Sequence, residues 1–358
     1  MGNVILNNIK LPAKKKEVGL NISELSIPME NIVAVVGAKD CGKTDFLNVL
    51  CGKVHPANGT VTLEDGALGK GDLAFVDAET YQPAFLTVKE LIDKTEKEYP
   101  NFSREVAEKY INAMQIPMEK IRYRNFHRRV QCAINCILAI ASRAKITVFD
   151  QPCRNMHLKL RDMLYKFAKE DFLEVKRTFF ITSNIALDID EVATYVVYLR
   201  NKSVVFNLPY EEVDKFSVGL IGKEDVIRSN IGGSEVFYKA EKEDGLVHMV
   251  VQNNMSLDSQ QALALSGVIS QYVNLVNFHT YVVKQDFGFD EKAKLRAELE
   301  KLQEEKREEK LEKQAKKKGK NVAIVAKDDV TSTVSSQKVQ ENKETFMEKL
   351  KRIMTTPL

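Results

Sequence analysis

Eight consecutive residues concentrate the chemistry of this chain: Gly37-Ala38-Lys39-Asp40-Cys41-Gly42-Lys43-Thr44. Glycines at the first and sixth places let backbone N–H groups turn inward around an anion. The lysine reaches the outer phosphates, and the threonine hydroxyl serves a Mg2+ ion. Ahead of this loop, Ile32–Val36 is continuously apolar, as expected of a strand buried on both faces. Behind it, Asp45–Cys51 reads as the start of a helix whose positive end points at the anion. A second element, Ile146-Thr-Val-Phe-Asp150, is an apolar strand ending in a carboxylate. Next to a phosphate loop, Asp150 is expected to hold Mg2+ through water, so a nucleotide and Mg2+ are the expected ligands, with Thr44 and Asp150 at the metal.

Elements that could position these groups follow along the chain. Residues 18–36 read as two strands around a turn, Gly59–Gly66 alternates like a strand, and Leu73–Val76 is a short one. Residues 87–122 are mainly helical with breaks near Pro100 and Pro117, and 128–143 form an apolar helix. Leu158–Phe172 is helical, Thr178–Thr182 is a strand, and Val196–Leu199 with Ser203–Phe206 reads as a hairpin. Strands alternating with helices predict an α/β domain over 1–215, with a helical subdomain at about 87–143. Residues 216–288 read as a small α+β domain, with two strands around Glu243-Asp-Gly245 and one apolar helix over Ser256–Val276. Beyond it come a charged helix at 289–320, a polar flexible linker at 321–340 and an amphipathic helix at 341–358. That last helix has three readings: packing on the protein, docking on another protein, or lying on an anionic membrane.

Composition narrows the function classes. The 358 residues carry a formal net charge of only +3, which gives no global reason to expect nucleic acid. No apolar run approaches the roughly 20 residues needed to span a bilayer, and residues 1–16 lack the apolar core of a secretory signal. A cytoplasmic protein is expected, peripheral to the membrane through another protein. The five cysteines, Cys41, Cys51, Cys132, Cys136 and Cys153, lack zinc spacing and read as small hydrophobes in a reducing compartment. Cys41, inside the phosphate loop, is the one whose thiol could be modified. His248 and His279 read as structural or exposed.

Residues 18–215 resemble the ATP-binding subunit of an ABC transporter. Beyond the phosphate loop and Asp150, the resemblance rests on Cys51-Gly52 with Pro56 and Gly59-Thr-Val, on Leu86-Thr-Val-Lys-Glu90, on the Val130–Ala141 helix, on Asp150-Gln-Pro152, and on Val192-Ala193, Val197–Leu199 and Lys202-Ser-Val-Val. It implies a P-loop ATPase fold of ABC type, a mixed sheet with flanking helices. It further implies ATP and Mg2+ as ligands, a homo- or heterodimer with another ATP-binding subunit, and a membrane permease as partner.

Several positions depart from the family pattern. Where the signature motif is expected stand Phe126-His-Arg-Arg-Val130; Gln151 replaces the catalytic glutamate and Asn184 the switch histidine. His157 takes the place of the D-loop aspartate, and the Q-loop glutamine falls near Asp77 or Ala78, with Gln82 displaced from it. No aromatic suited to stacking adenine precedes the first strand. An amide cannot accept the attacking water's proton as a carboxylate does, and losing such a base costs on the order of 10²–10⁴ in rate. The expected protein therefore binds ATP-Mg with little or no hydrolysis and acts in a regulatory or structural role. The alternatives are an active ABC ATPase energising transport, and a soluble nucleotide-sensing scaffold without a permease.

Overall fold

The computed structural model describes residues 2–288 apart from 13–18, 65, 153–155 and 157. The readings at Cys153, His157 and 289–358 lie outside the described residues. The chain divides into two units, Met1–Asp214 and Lys215–Leu358.

In the first unit, β1 (Asn3–Lys10), β2 (Asn21–Pro28), β3 (Ile32–Val36), α1 (Lys43–Leu50), β4 (Asn58–Leu63) and β5 (Leu73–Val76) come first. Three helices follow, α2 (Val88–Glu98), α3 (Arg104–Ala113) and α4 (Arg128–Ala141). Then come β6 (Ile146–Phe149), α5 (Leu158–Glu174), β7 (Thr178–Ser183), β8 (Tyr195–Arg200), β9 (Ser203–Pro209) and α6 (Tyr210–Phe216), the last running into the second unit. The strands form an antiparallel sheet β2-β1-β4 and a mixed sheet β5-β6-β7-β3-β8-β9, in which only β9 runs antiparallel.

All five residues of β3 are buried, as are the four of β6 and the six of β7. Full burial contributes roughly 1.5–3 kcal/mol per large aliphatic side chain, which fixes these three strands at the centre of the sheet. Because β3, β7 and β6 are parallel neighbours, the residues after each of them emerge at one edge: the 37–44 loop, Asn184, and Asp150-Gln151. The alternating inner faces of β1 and β2 (Val4, Leu6, Ile22, Leu25) share a core with Phe46 and Leu47 of α1 and Val33 and Val35 of β3.

The helices begin where the sequence supplies caps. Thr87 and Glu90 form a reciprocal capping box at α2, with Thr87 N–H donating to Glu90 Oε2 at 2.7 Å. Ser103 caps α3. Residues Val130–Ala141 of α4 are all buried, which explains its nearly unbroken apolar sequence.

The second unit holds β10 (Ser217–Gly222), α7 (Glu224–Ile231), β11 (Val236–Glu241), β12 (Val247–Gln252), α8 (Leu257–Leu265), β13 (Ile269–Tyr272) and α9 (Leu275–Phe287). Its antiparallel sheet has the order β11-β12-β10-β13. Leu220, Met249 and Val251 pack against Ile227 of α7 and Leu263 of α8. His248 sits between the rings of Tyr238 and Tyr281, at 5.6 and 5.1 Å between centroids. The two strands around Glu243–Gly245 are present, but the single helix expected over Ser256–Val276 is not. Gly267 adopts a left-handed φ of 78° after α8, Ile269–Tyr272 pairs with β10, and the Asn274 side chain caps a new helix. Apolar character alone did not distinguish a buried helix from a helix–strand–helix run. Both His248 and His279 are buried.

Candidate nucleotide site

The loop between β3 and α1 is built by contact. A Cβ on Gly37 would stand 2.3 Å from the carbonyl oxygen of Leu199 in β8 and 2.5 Å from Cys41 Sγ, so only glycine fits there. Gly42 has φ 107° and is the N-cap of α1, a conformation that side chains resist. Lys43 is 3 % exposed. Its ammonium donates to the carbonyls of Gly37 and Ala38, both at 2.6 Å, and to Cys41 Sγ at 3.5 Å. Burial lowers its pKa, opposed by the Cys41 thiol and the charges of Asp150 and Asp40. Lys39, Asp40 and Thr44 are exposed; Cys41 is buried.

Asp150 is buried at the end of β6. Its Oδ1 accepts from the Thr182 hydroxyl at 2.8 Å, and that hydroxyl in turn accepts from the Gln151 N–H at 2.7 Å. One threonine of β7 thus ties the carboxylate to the residue after it. Gln151 has φ 50°, a left-handed conformation uncommon outside glycine. Its side-chain oxygen accepts from Asn184 Nδ2 at 3.1 Å. The glutamine where a catalytic glutamate is expected and the asparagine where a switch histidine is expected are therefore bonded to each other.

The signature-position residues 126–130 form the entrance to α4. Phe126 is buried, His127 is the N-cap, and its Nδ1 accepts from the Arg129 N–H at 3.4 Å. Arg128 turns back onto its own chain: it donates to the carbonyls of Thr80 (3.2 Å) and Ala78, and its guanidinium lies 4.0 Å from the Tyr81 ring centre. Asn135, two turns along α4, donates to the same Thr80 carbonyl at 2.8 Å. Asp77 closes its own turn, accepting from Glu79 N–H and the Thr80 hydroxyl. The Q-loop position and the signature position are thus held together within one chain. Gln82, half-buried, follows in the same segment.

The structure brings Gly37–Thr44, Asp150, Gln151 and Asn184 to one sheet edge. Thr182 and the Arg128–Tyr81 contact were not legible beforehand. Thr182 lies in a strand buried along its whole length, where a hydroxyl among apolar neighbours was the one available hint, whereas no local signal marks Arg128 as a residue that bonds its own chain.

Residues 20–154 match the family profile described as ABC transporter. The fold is the P-loop fold of ABC type. A solved ATP-binding subunit of an ABC transporter shares its fold at TM-score 0.51 and 12 % identity, covering 59 % of this chain and 91 % of that one. A nucleotide-free ATP-binding cassette from an ABC transporter aligns at TM-score 0.48 and 16 % identity, over 60 % of this chain and 94 % of that one. The lantibiotic transport ATP-binding protein SrtF of Streptococcus pyogenes is 18 % identical over 213 residues, 58 % of this chain and 90 % of that protein. Among the described residues of either unit no helix is long and apolar enough to cross a membrane.

Proposed function

We propose that this chain is the ATP-binding subunit of an ABC transporter-like complex that binds ATP-Mg, hydrolyses it little or not at all, and acts in a regulatory or structural role beneath a membrane permease. The observation that carries the reading is the direct Gln151–Asn184 hydrogen bond beside an intact phosphate loop. The loop keeps what phosphate needs: a cradle that only glycine fits, an ammonium already gathered onto it, and the N-terminus of α1. Among the described residues no cluster of three His, Cys, Asp or Glu side chains is placed to hold a metal. Mg2+ would therefore arrive with the phosphates, served by the exposed Thr44 hydroxyl and by Asp150 through water. Two neutral amides at Gln151 and Asn184 leave the attacking water without a base.

A dimer with a second ATP-binding subunit and a permease partner are part of this proposal, supported by the transport role of the streptococcal relative. So is a cytoplasmic location at the membrane face. The committed Arg128 speaks against a signature that engages another subunit's nucleotide in the usual way, and so against the active-ATPase alternative.

Equilibrium binding of labelled ATP with Mg2+, beside steady-state hydrolysis, tests the reading. The wild-type chain should bind saturably, and Lys43→Ala should weaken binding by roughly a hundredfold, the loss of charge-assisted bonds worth about 3 kcal/mol. Robust turnover that disappears in Lys43→Ala would refute the non-hydrolytic role; absence of saturable binding would refute the nucleotide role altogether.

A further inference from the structure

The two edges of the sheet in the second unit are treated differently. At the β11 edge the sequence supplies charge, with Glu235, Lys239 and Glu241. The register of its pairing with β12 shifts between Val236 and Tyr238. The Lys239 N–H donates to Gln285 Oε1 of α9 at 2.9 Å, so a backbone donor of this edge is already satisfied from within the chain. Charges, a broken register and a covering element are the devices that keep an edge strand from pairing with another chain.

The β13 edge lacks the charges and the broken register. Among the described residues β13 ends the sheet, paired with β10 alone, in unbroken register from Ile269 opposite Ile221 to Tyr272 opposite Val218. Its sequence, Ile269-Ser-Gln-Tyr272, includes no charge and no proline. Ile269 is 61 % exposed, and Ser270 and Tyr272 are exposed beside it. The helix before it adds apolar surface. Leu265, at the end of α8, is 90 % exposed, while Leu263 fills the core beneath. From Ser256 to Asn274 the chain carries a single charged residue, Asp258. A strongly acidic or basic partner would find little here to pair with. Two copies of the same strip bring no row of like charges together, and like charges facing each other across strands are what oppose such pairing. A twofold axis through an antiparallel pair of edge strands makes the two copies equivalent and closes the contact at a dimer.

We infer that the β13 edge is a self-association surface, on which two copies of this chain pair β13 with β13 antiparallel and Leu265 and Ile269 supply the apolar contact. Association here requires no nucleotide, so it goes beyond the proposed function and does not depend on it. Analytical ultracentrifugation of the full chain without nucleotide tests it, with Lys43→Ala, Ile269→Lys and Ser270→Lys alongside. Both lysine substitutions fall at exposed positions, and far-UV circular dichroism checks that each variant keeps the wild-type fold. Wild type and Lys43→Ala should sediment as dimers. Each lysine variant should raise the dimer dissociation constant by at least about tenfold, and sediment as a monomer where wild type is dimeric. A wild-type chain that stays monomeric overturns the inference, whether the edge is taken by this chain's own residues 289–358 or by a different protein, and leaves the nucleotide reading standing. Wild-type dimerisation retained in either lysine variant, or lost in Lys43→Ala, overturns it too, because the dimer then forms elsewhere.

Discussion

The strand that carries Asp150 is anchored by a buried ion pair, and breaking that pair gives a sharp expectation. Arg177 is 5 % exposed and Asp171 is fully buried, with 2.6 Å between Arg177 Nη2 and Asp171 Oδ2. The guanidinium also donates to the Thr147 hydroxyl of β6 at 2.5 Å and to the Ile140 carbonyl of α4 at 2.7 Å. Arg143 approaches the other carboxylate oxygen at 3.3 Å. Burial lowers the Arg177 pKa, and Asp171 opposes the shift. Asp171→Asn removes the one anion between two cations and leaves a desolvated guanidinium uncompensated, at a cost of about 3–5 kcal/mol. For a unit of this size each kcal/mol moves Tm by about 2–4 °C, so a fall of roughly 6–20 °C is expected in a thermal scan followed by far-UV circular dichroism. The paired replacement Asp171→Leu with Arg177→Met removes both charges and should lose less than the single variant. A single variant melting within 2 °C of wild type, roughly 1 kcal/mol or less, would show that the pair does not anchor the strand.

Two further expectations concern the catalytic positions and the second unit. Gln151→Glu alone should leave hydrolysis within about tenfold of wild type, because Asn184 and Arg128 still stand where other groups would be needed; a gain on the order of 10²-fold or more in the phosphate-release assay would refute the multi-site account. Burial between Tyr238 and Tyr281, with Lys242 and Lys284 adding to it, pushes the His248 pKa down to about 4 from 6.5. The unfolded chain then binds the proton more readily. Stability is fully present above pH 6.5 and is lost as pH falls toward 4, by about 3 kcal/mol in total. Hydrogen exchange at Val250 and Val251 should show that loss, and His248→Phe should flatten it; a variant with an unchanged pH slope would assign the loss elsewhere.

Most of the first unit was legible because its signals are local. Continuous apolar runs marked β3 and β6, and the glycines marked the loop. What escaped depends on contacts between segments far apart in sequence. β1 has the alternating burial of a half-exposed strand but a sequence interrupted by Asn7-Asn8, and its pairing with β2 and β4 is what holds it. The region Ser256–Val276 failed for a related reason: its apolar residues serve α8, β13 and the start of α9 in turn, and Gly267 is the only punctuation between the first two. At the site, the sequence reading names positions that depart from the family pattern but not what those residues bond to.

Those bonds decide how the replacements are to be understood. Parallel neighbours β6 and β7 bring the residues after them to one edge, and there Gln151 accepts from Asn184, with the Gln151 N–H held by Thr182 next to Asp150. Arg128 at the signature position donates to the Ala78 carbonyl at the Q-loop position, and Tyr81 and Asn135 fasten the same segment. Among the described residues the altered positions fall into two hydrogen-bonded groups, one beside Asp150 and one at the entrance to α4. A neutral amide pair requires no counter-charge, and an arginine bonded to two carbonyls is held in one orientation. Such networks rigidify loops that would otherwise have to move with each nucleotide cycle. On the proposed reading, a phosphate cradle beside loops fastened in place suits a subunit that holds nucleotide as a ligand better than one that must open and close around each hydrolysis event.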